Sequence, residues 1–332
     1  MRLSTAGCAL LLVLSACEAQ PAARPERTPS AGATPSGAST PAPAPTRPSG
    51  EDPPPSPPPS AAPQPRDLDV GTAVRTVSHL AGTIGPRHAT SPAFARAATW
   101  TEGRLRRLGY DVRRQQFTVP GGTSWGVPVR PGGSANLVAR SHGFRPDRPF
   151  LLVGAHLDTV PQAPGAEDNA SGIGVLLAVA KSVADARTRL PVVFVAFGAE
   201  EPRGPTDLDH HYGSRRYVDR LTPAQRRNLR GMVSLDRVGV GRVLPVCGAS
   251  AGHEPLEDAL LRSARRAKVA AIRCAANRSS DHCSFVRAGL PGVRLGSTPY
   301  AGYHSAADLP PVVNRAQLAR AGRTVLSWLR AP

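Results

Sequence analysis

At 332 residues with a formal charge of +17, carried almost wholly by arginine, the chain can hold one large domain or two modest ones. The arginines are scattered and aromatics make up only 5% of residues, so no basic stripe interleaved with aromatics marks a nucleic-acid surface. The five cysteines, Cys8, Cys17, Cys247, Cys274 and Cys283, form no CxxC pair, which argues against a thiolate zinc site.

Residues 1–16 have the make-up of a secretory signal, with Arg2 ahead of the apolar stretch Ala9–Leu14. That stretch is too short to span a bilayer as a mature helix. It ends Leu14-Ser15-Ala16-Cys17, which resembles the lipobox of bacterial lipoproteins. The expectation is an exported chain, lipidated at Cys17 and held on the outer face of the plasma membrane; simple secretion is the alternative. Residues 17–66 are rich in Pro, Ala and Ser and cannot bury a core. As polyproline II at ~3.1 Å per residue this linker reaches on the order of 150 Å.

Order is expected from Asp67, in one domain running to residue 332 with no internal repeat. Val70, Val74, Val77, Leu80, Ala81 and Ile84 follow helical spacing behind Asp69 as an N-cap. Ser91-Pro92 opens a second helix that stops at Leu108-Gly109. Val112–Val119 alternates like a half-exposed strand. Ala135–Ala139 is a short second strand and Pro149–Gly154 a buried third. A helix over residues 171–186 precedes the apolar strand Pro191–Phe197. A helix over Tyr212–Arg220, the strand Gly231–Leu235, a helix over Glu254–Lys268 and the strand Ala270–Cys274 follow. A short helix from Ser280 to Gly289, the strand Gly292–Leu295 and a closing helix over residues 314–330 complete the chain. Apolar strands alternating with helices predict an α/β fold whose mixed, largely parallel central β-sheet is flanked by helices.

The titratable residues fall at special places on this map. His156 follows the third strand and Asp168 starts the next helix. Glu200 and Glu201 end the strand after it, Asp236 ends another, and His304 lies beyond the last. These are carboxyl ends of sheet strands, where open α/β sheets place their sites. Two His and three carboxylates suit zinc, and one carboxylate can bridge two ions. The remaining acid of the Glu200-Glu201 pair is then free to move a proton.

Six motifs occur in order: Gly154-Ala-His156-Leu-Asp158, Glu167-Asp168-Asn169-Ala-Ser-Gly172, Phe197-Gly-Ala-Glu200-Glu201, Ser234-Leu-Asp236, Ser280-Asp281-His282, and Tyr303-His304 with Asp308. The chain resembles the M28 family of zinc peptidases, secreted bacterial aminopeptidases among them, over roughly residues 70–330. The resemblance implies a zinc-dependent exopeptidase fold and two zinc ions. His156 and Asp236 would hold one ion, Glu201 and His304 the other, with Asp168 bridging. Glu200 would be the general base, Asp158 would orient His156, Asp308 would do the same for His304, and Tyr303 would help hold the oxyanion. Asn169, Ser280 and Asp281 would be scaffolding.

The stretch Pro202–Tyr212 is longer than in many relatives and is expected to shape the substrate entrance. His210 and His211 within it are expected on a rim or surface, and His253 and His282 in structural roles. His79, His88 and His142 carry no readable motif. In an exported chain one disulfide is expected, Cys247–Cys274 being preferred, with Cys283 free. The expected function is hydrolysis of N-terminal residues from peptides, with peptides and a membrane surface as partners and no nucleic acid. No oligomeric state is readable, and a monomer is compatible with the sequence. Two other readings stay open: a glutaminyl-peptide cyclotransferase with one zinc, and a binding module with an inactive peptidase fold.

Overall fold

The computed structural model describes residues 61–330. The signal segment, Cys17 and most of the expected linker lie outside these residues. The first described elements are a turn of 3-10 helix at Pro65–Asp67 and α1 (Val70–Val77). Asp69 caps α1 as expected: its carboxylate accepts from Thr72 N at 3.2 Å and from Lys181 Nζ at 2.8 Å. The expected single helix to residue 84 is instead α1 followed by a wider π-helical stretch, Ser78–Ile84.

α2 (Pro92–Arg107) starts on a Ser91 cap, with Ser91 Oγ accepting from Phe94 N at 3.1 Å, and stops at Gly109, whose φ is +85°. Then come β1 (Asp111–Val119), a small hairpin of β2 (Gly122–Ser124) and β3 (Val127–Val129), β4 (Gly132–Arg140) and β5 (Phe150–His156). α3 (Ser171–Val183), β6 (Val192–Phe197), α4 (Tyr212–Asp219), α5 (Pro223–Asn228) and β7 (Leu229–Leu235) follow. The chain closes through β8 (Leu244–Gly248), α6 (Pro255–Arg266), β9 (Ala271–Cys274), α7 (His282–Arg287), β10 (Gly292–Leu295) and α8 (Arg315–Leu329).

Eight strands form one sheet in the order β1-β4-β6-β5-β7-β10-β8-β9. The central four, β6, β5, β7 and β10, are mutually parallel, and the antiparallel pairs lie to either side of them. The expected mixed, largely parallel sheet is therefore present. Strand alternation sends Leu151, Val153 and Ala155 to one face, with α1, α3 and α8, and Phe150 and Leu152 to the other, with Tyr217, Val218 and Phe285 of α4 and α7. All seven residues of β5 are buried, as a strand covered on both faces requires.

Three elements were not anticipated. β8 carries Pro245 and sits among glycines, which reads as a loop; β10 on one side and β9 on the other make it a strand. α5 is six residues long and opens with a capping box, Thr222 and Gln225 exchanging backbone bonds. The β2–β3 hairpin is small and Gly-rich, with no periodicity to mark it. The disulfide joins Cys247 of β8 to Cys274 of β9, which are paired in register, and Cys283 is free and buried.

Candidate metal centre

Each of the four central parallel strands delivers part of one cluster from its carboxyl end. β5 ends on His156, and the backbone N–H of Leu157 donates to Phe197 O at 2.8 Å, holding the ends of β5 and β6 together. Glu200 and Glu201 lie three and four residues beyond Phe197. Asp236 is the first residue after β7, and the loop after β10 returns Tyr303 and His304. Asp168 comes from the turn before α3.

Asp168 links the two halves. One of its oxygens is 3.1 Å from His156 Nε2 and the other is 3.1 Å from His304 Nε2. His156 Nε2 is also 3.7 Å from Asp236 and 4.0 Å from Glu200, and His304 Nε2 is 3.4 Å from Glu201. Ligand-type atoms of His156, Glu200 and Asp236 lie within 4.8 Å of one another, as do those of His156, Asp168 and Glu201. All these residues are buried.

Four carboxylates in so small a buried volume repel one another strongly. Burial raises the Glu200 carboxyl, His156 opposes this, and the neighbouring Asp236, Asp168 and Asp158 add to it, leaving the group at about 8. Burial likewise raises Glu201 to about 8, against the pull of His304. Burial disfavours charge on His304, but Glu201 and Asp168 outweigh it and raise the ring to about 10. His156 is raised too, Glu200, Asp168 and Asp236 overcoming its burial. Glu201 Oε1 and His304 Nδ1 are buried with no hydrogen-bond partner among the described residues. Clustered buried carboxylates, one with an unpartnered oxygen, beside two inward-facing imidazoles are the donor set of a divalent cation site.

Among the supporting contacts, those of Asp308 and His211 differ from expectation. Asp158 was expected to orient His156. Its carboxylate accepts from the backbone N–H groups of Glu200 at 3.1 Å and Glu201 at 3.2 Å. The Asp158 carbonyl takes the orienting role, 3.2 Å from His156 Nδ1, which leaves Nε2 for the site. Asp308 was expected behind His304. It accepts from the backbone N–H groups of Glu167 at 2.8 Å and Asp168 at 3.1 Å, and from the Tyr300 hydroxyl at 2.9 Å, so it fixes the bridging turn. His211 was expected on a rim; it is buried, with Nε2 3.1 Å from Glu200 Oε1. The left-handed backbone of His211, φ +57°, turns the ring inward ahead of α4. His282 is buried and bonded to Asn277 O, and His253 is exposed.

Asn169 ties the start of α3 to the end of β7, donating to Leu235 O at 2.9 Å and accepting from Gly172 N at 3.0 Å. The Ser280 hydroxyl is 3.0 Å from that of Ser234, and Asp281 is fully buried near His211 and Glu200.

Sequence reasoning passed over four residues that build the site. Arg87 is wholly buried and donates to the carbonyls of Leu157, Pro164 and Gly165 at 2.7, 2.6 and 2.9 Å, bracing the loop between His156 and Asp168. Arg294 is equally buried, with Nη2 3.1 Å from Asp236 Oδ1; burial raises the Asp236 carboxyl, yet Arg294 and His156 outweigh this and bring it down to about 2. Trp125, at the tip of the β2–β3 hairpin, meets the His304 ring edge-on with centroids 4.3 Å apart. Arg237 follows Asp236 and lies over the Tyr303 ring, 4.4 Å from its centroid. No period or motif marks any of them, since each acts across long sequence distances.

The long Pro202–Tyr212 stretch does border the cavity, through Pro202, His210 and His211. It also holds the Trp125 hairpin. Arg203 donates to the carbonyls of Pro120 at 2.7 Å and Arg130 at 3.1 Å, at the two ends of the hairpin, and its own carbonyl accepts from Thr123 N at 3.0 Å. That carbonyl occupies the space a Cβ on Gly122 would need, so only glycine fits there.

The model of Peptidase family M28 matches residues 136–329. Aminopeptidase YwaD of Bacillus subtilis is 28% identical over 186 residues, which are 53% of this chain and 39% of YwaD. The chain thus spans about two-fifths of the length of the curated relatives it matches first. Among solved structures, the zinc aminopeptidase BSAP of Bacillus subtilis superposes with a TM-score of 0.70 at 19% identity, covering 79% of this chain and 94% of that one. A glutaminyl cyclase of Bacteroides thetaiotaomicron superposes with a TM-score of 0.67 at 22% identity, covering 81% and 98%. These two share the fold. The matched segment runs from β4 through α8 and takes in every acid and histidine of the cluster, over more than half of the sequence: the chain belongs to Peptidase family M28.

Proposed function

We propose that the chain is a two-zinc aminopeptidase, held by a lipid on Cys17 to the outer face of a bacterial plasma membrane. The observation that carries the metal reading is the division of Asp168 between His156 and His304, one oxygen to each at 3.1 Å. His156 and Asp236 would hold one ion, Glu201 and His304 the other, and Asp168 would serve both. When bound, the zinc ions supply Lewis acidity, polarising the scissile carbonyl and making water nucleophilic near neutral pH.

The chain's own residues do the rest. Glu200 borders the cavity between His156 and His211, where it can take a proton from water and return it to the leaving amine. His211 Nε2 lies 3.1 Å from one Glu200 oxygen and so stands as the neighbour that can position the base. Tyr303 borders the same cavity and supports a role at the developing oxyanion. The lipobox-like Leu14-Ser15-Ala16-Cys17 supports the anchored location, and the Pro-rich stretch after it gives a spacer.

Zinc content together with hydrolysis tests this reading. The purified chain is expected to hold two zinc ions and to release p-nitroaniline from aminoacyl p-nitroanilides, with loss on chelation and recovery on adding zinc. Glu200→Gln is expected to keep both ions and to lose about 10²–10⁴ in kcat. Full activity in that variant would overturn the assignment. One zinc with cyclisation of Gln-initiated peptides would favour the glutaminyl cyclase reading.

A further inference from the structure

The cavity over the cluster is bordered by Trp125, Tyr303, His210, Arg237 and Arg294 as well as by the acids. Its arginines differ in what they bind. Arg294 donates to the carbonyls of Ser279 at 2.9 Å and Asp236 at 3.4 Å. The nearby buried Arg87 and Arg203 are likewise committed to backbone carbonyls. Arg237 is different. Among the described residues its guanidinium makes no hydrogen bond and has no carboxylate within 4.0 Å. Its single side-chain contact of note is the face of Tyr303.

Its backbone shows that this placement is built. Arg237 has φ +54°, a left-handed conformation that costs a side-chain-bearing residue about 1 kcal/mol or more. Two bonds hold it: its N–H donates to Asn169 Oδ1 at 3.3 Å, and its carbonyl accepts from Ser297 N at 3.2 Å. A half-buried guanidinium on an aromatic face at the border of the cavity, its N–H donors uncommitted among the described residues, is a receptor for a planar anion. Cations bound by the four acids would offset their charge, leaving the arginine side of the cavity to attract an anionic group.

We propose that Arg237, laid on Tyr303, recognises a substrate carboxylate within one residue of the scissile bond, so that the preferred substrates are short peptides carrying such a group. This rests on the peptidase reading. The carboxylate has two sources, an acidic N-terminal side chain or the free C-terminus of a dipeptide.

Matched substrate pairs on the zinc-supplemented full chain test it: Glu- against Gln-p-nitroanilide for the side chain, and Leu-Gly against Leu-glycinamide for the C-terminus. The carboxylate member of one pair is expected to lead by about tenfold to a hundredfold in kcat/KM, the range of a hydrogen bond to a charged group. The pair that shows the lead identifies the source. Arg237→Gln is expected to bring that ratio to near one, mainly through KM, and Arg237→Lys to keep part of it. Ratios near one in both pairs for the native chain, or a ratio that survives Arg237→Gln, would overturn the proposal. Calorimetric binding of the same dipeptide pair and of free Glu against Gln to Glu200→Gln separates the two readings. Absent hydrolysis with preferential carboxylate binding sinks only the peptidase reading, whereas equal affinities within both pairs sink the carboxylate site.

Discussion

Asp168 is the residue on which the two halves of the cluster depend. It faces His156 through one oxygen and His304 through the other, and Asp308 fixes its backbone. Asp168→Ala is therefore expected to lose both metal ions, whereas His156→Ala should chiefly weaken one; zinc content after dialysis, by mass spectrometry, reads this directly. Loss of a single ion from Asp168→Ala would contradict the bridging role. His211 is the matching case for the base. His211→Ala removes the ring that lies 3.1 Å from Glu200 Oε1 and is expected to lower kcat by about tenfold or more, with zinc content unchanged. These residues differ in how far sequence could reveal them. His156, Glu201 and Asp236 stand at or just beyond the ends of apolar strands, and Asp168 and His304 in the loops that follow such strands, all in motifs that share an order with a known family. His211 and Arg237 owe their roles to left-handed backbone at single positions, and nothing in the one-dimensional pattern signals which way such a residue turns its side chain.

Among the elements, the β2–β3 hairpin and β8 were the least visible, and each makes a separate prediction. The hairpin brings Trp125 against His304 and is clipped down by Arg203. A Cβ at position 122 meets the Arg203 carbonyl, so Gly122→Ala should shift the hairpin and raise KM for peptides with little change in zinc content. An unchanged KM would show that the hairpin does not line the bound substrate. At the far edge of the sheet, the Cys247–Cys274 bridge closes a loop of 27 residues in sequence separation. Its removal by Cys247→Ser with Cys274→Ser is expected to cost roughly 3 kcal/mol, read from urea unfolding. Helix boundaries were more legible. Asp69, Ser91 and Asn314 each cap a helix whose start the sequence indicated, because an N-cap acts within three residues of itself. The stop of α2 at Gly109 is local in the same sense.

For the molecule as a whole, four buried acids gathered at one end of the parallel strands store repulsion that bound metal cations would relieve. The chelated protein should melt several degrees below the zinc-loaded one. Free zinc at a hundred times its Kd adds about 2.7 kcal/mol to the native state. Identical melting curves with and without zinc would show that the cluster holds no ion. Two layers of helix on a mixed sheet were readable from the sequence alone, since a strand buried on both faces must be apolar throughout and a covering helix must carry an apolar stripe. Which acids would stand near each other was also readable, because parallel strands deliver their carboxyl ends to one side. The strand order β6-β5-β7-β10, the turn of Asp308 toward the bridge, and the arginines at 87, 237 and 294 were decided by tertiary structure. The physical reason is range: caps, strand burial and motif spacing act within a few residues, whereas these contacts join segments tens to more than a hundred residues apart, and the packing that selects them exists only in the folded chain.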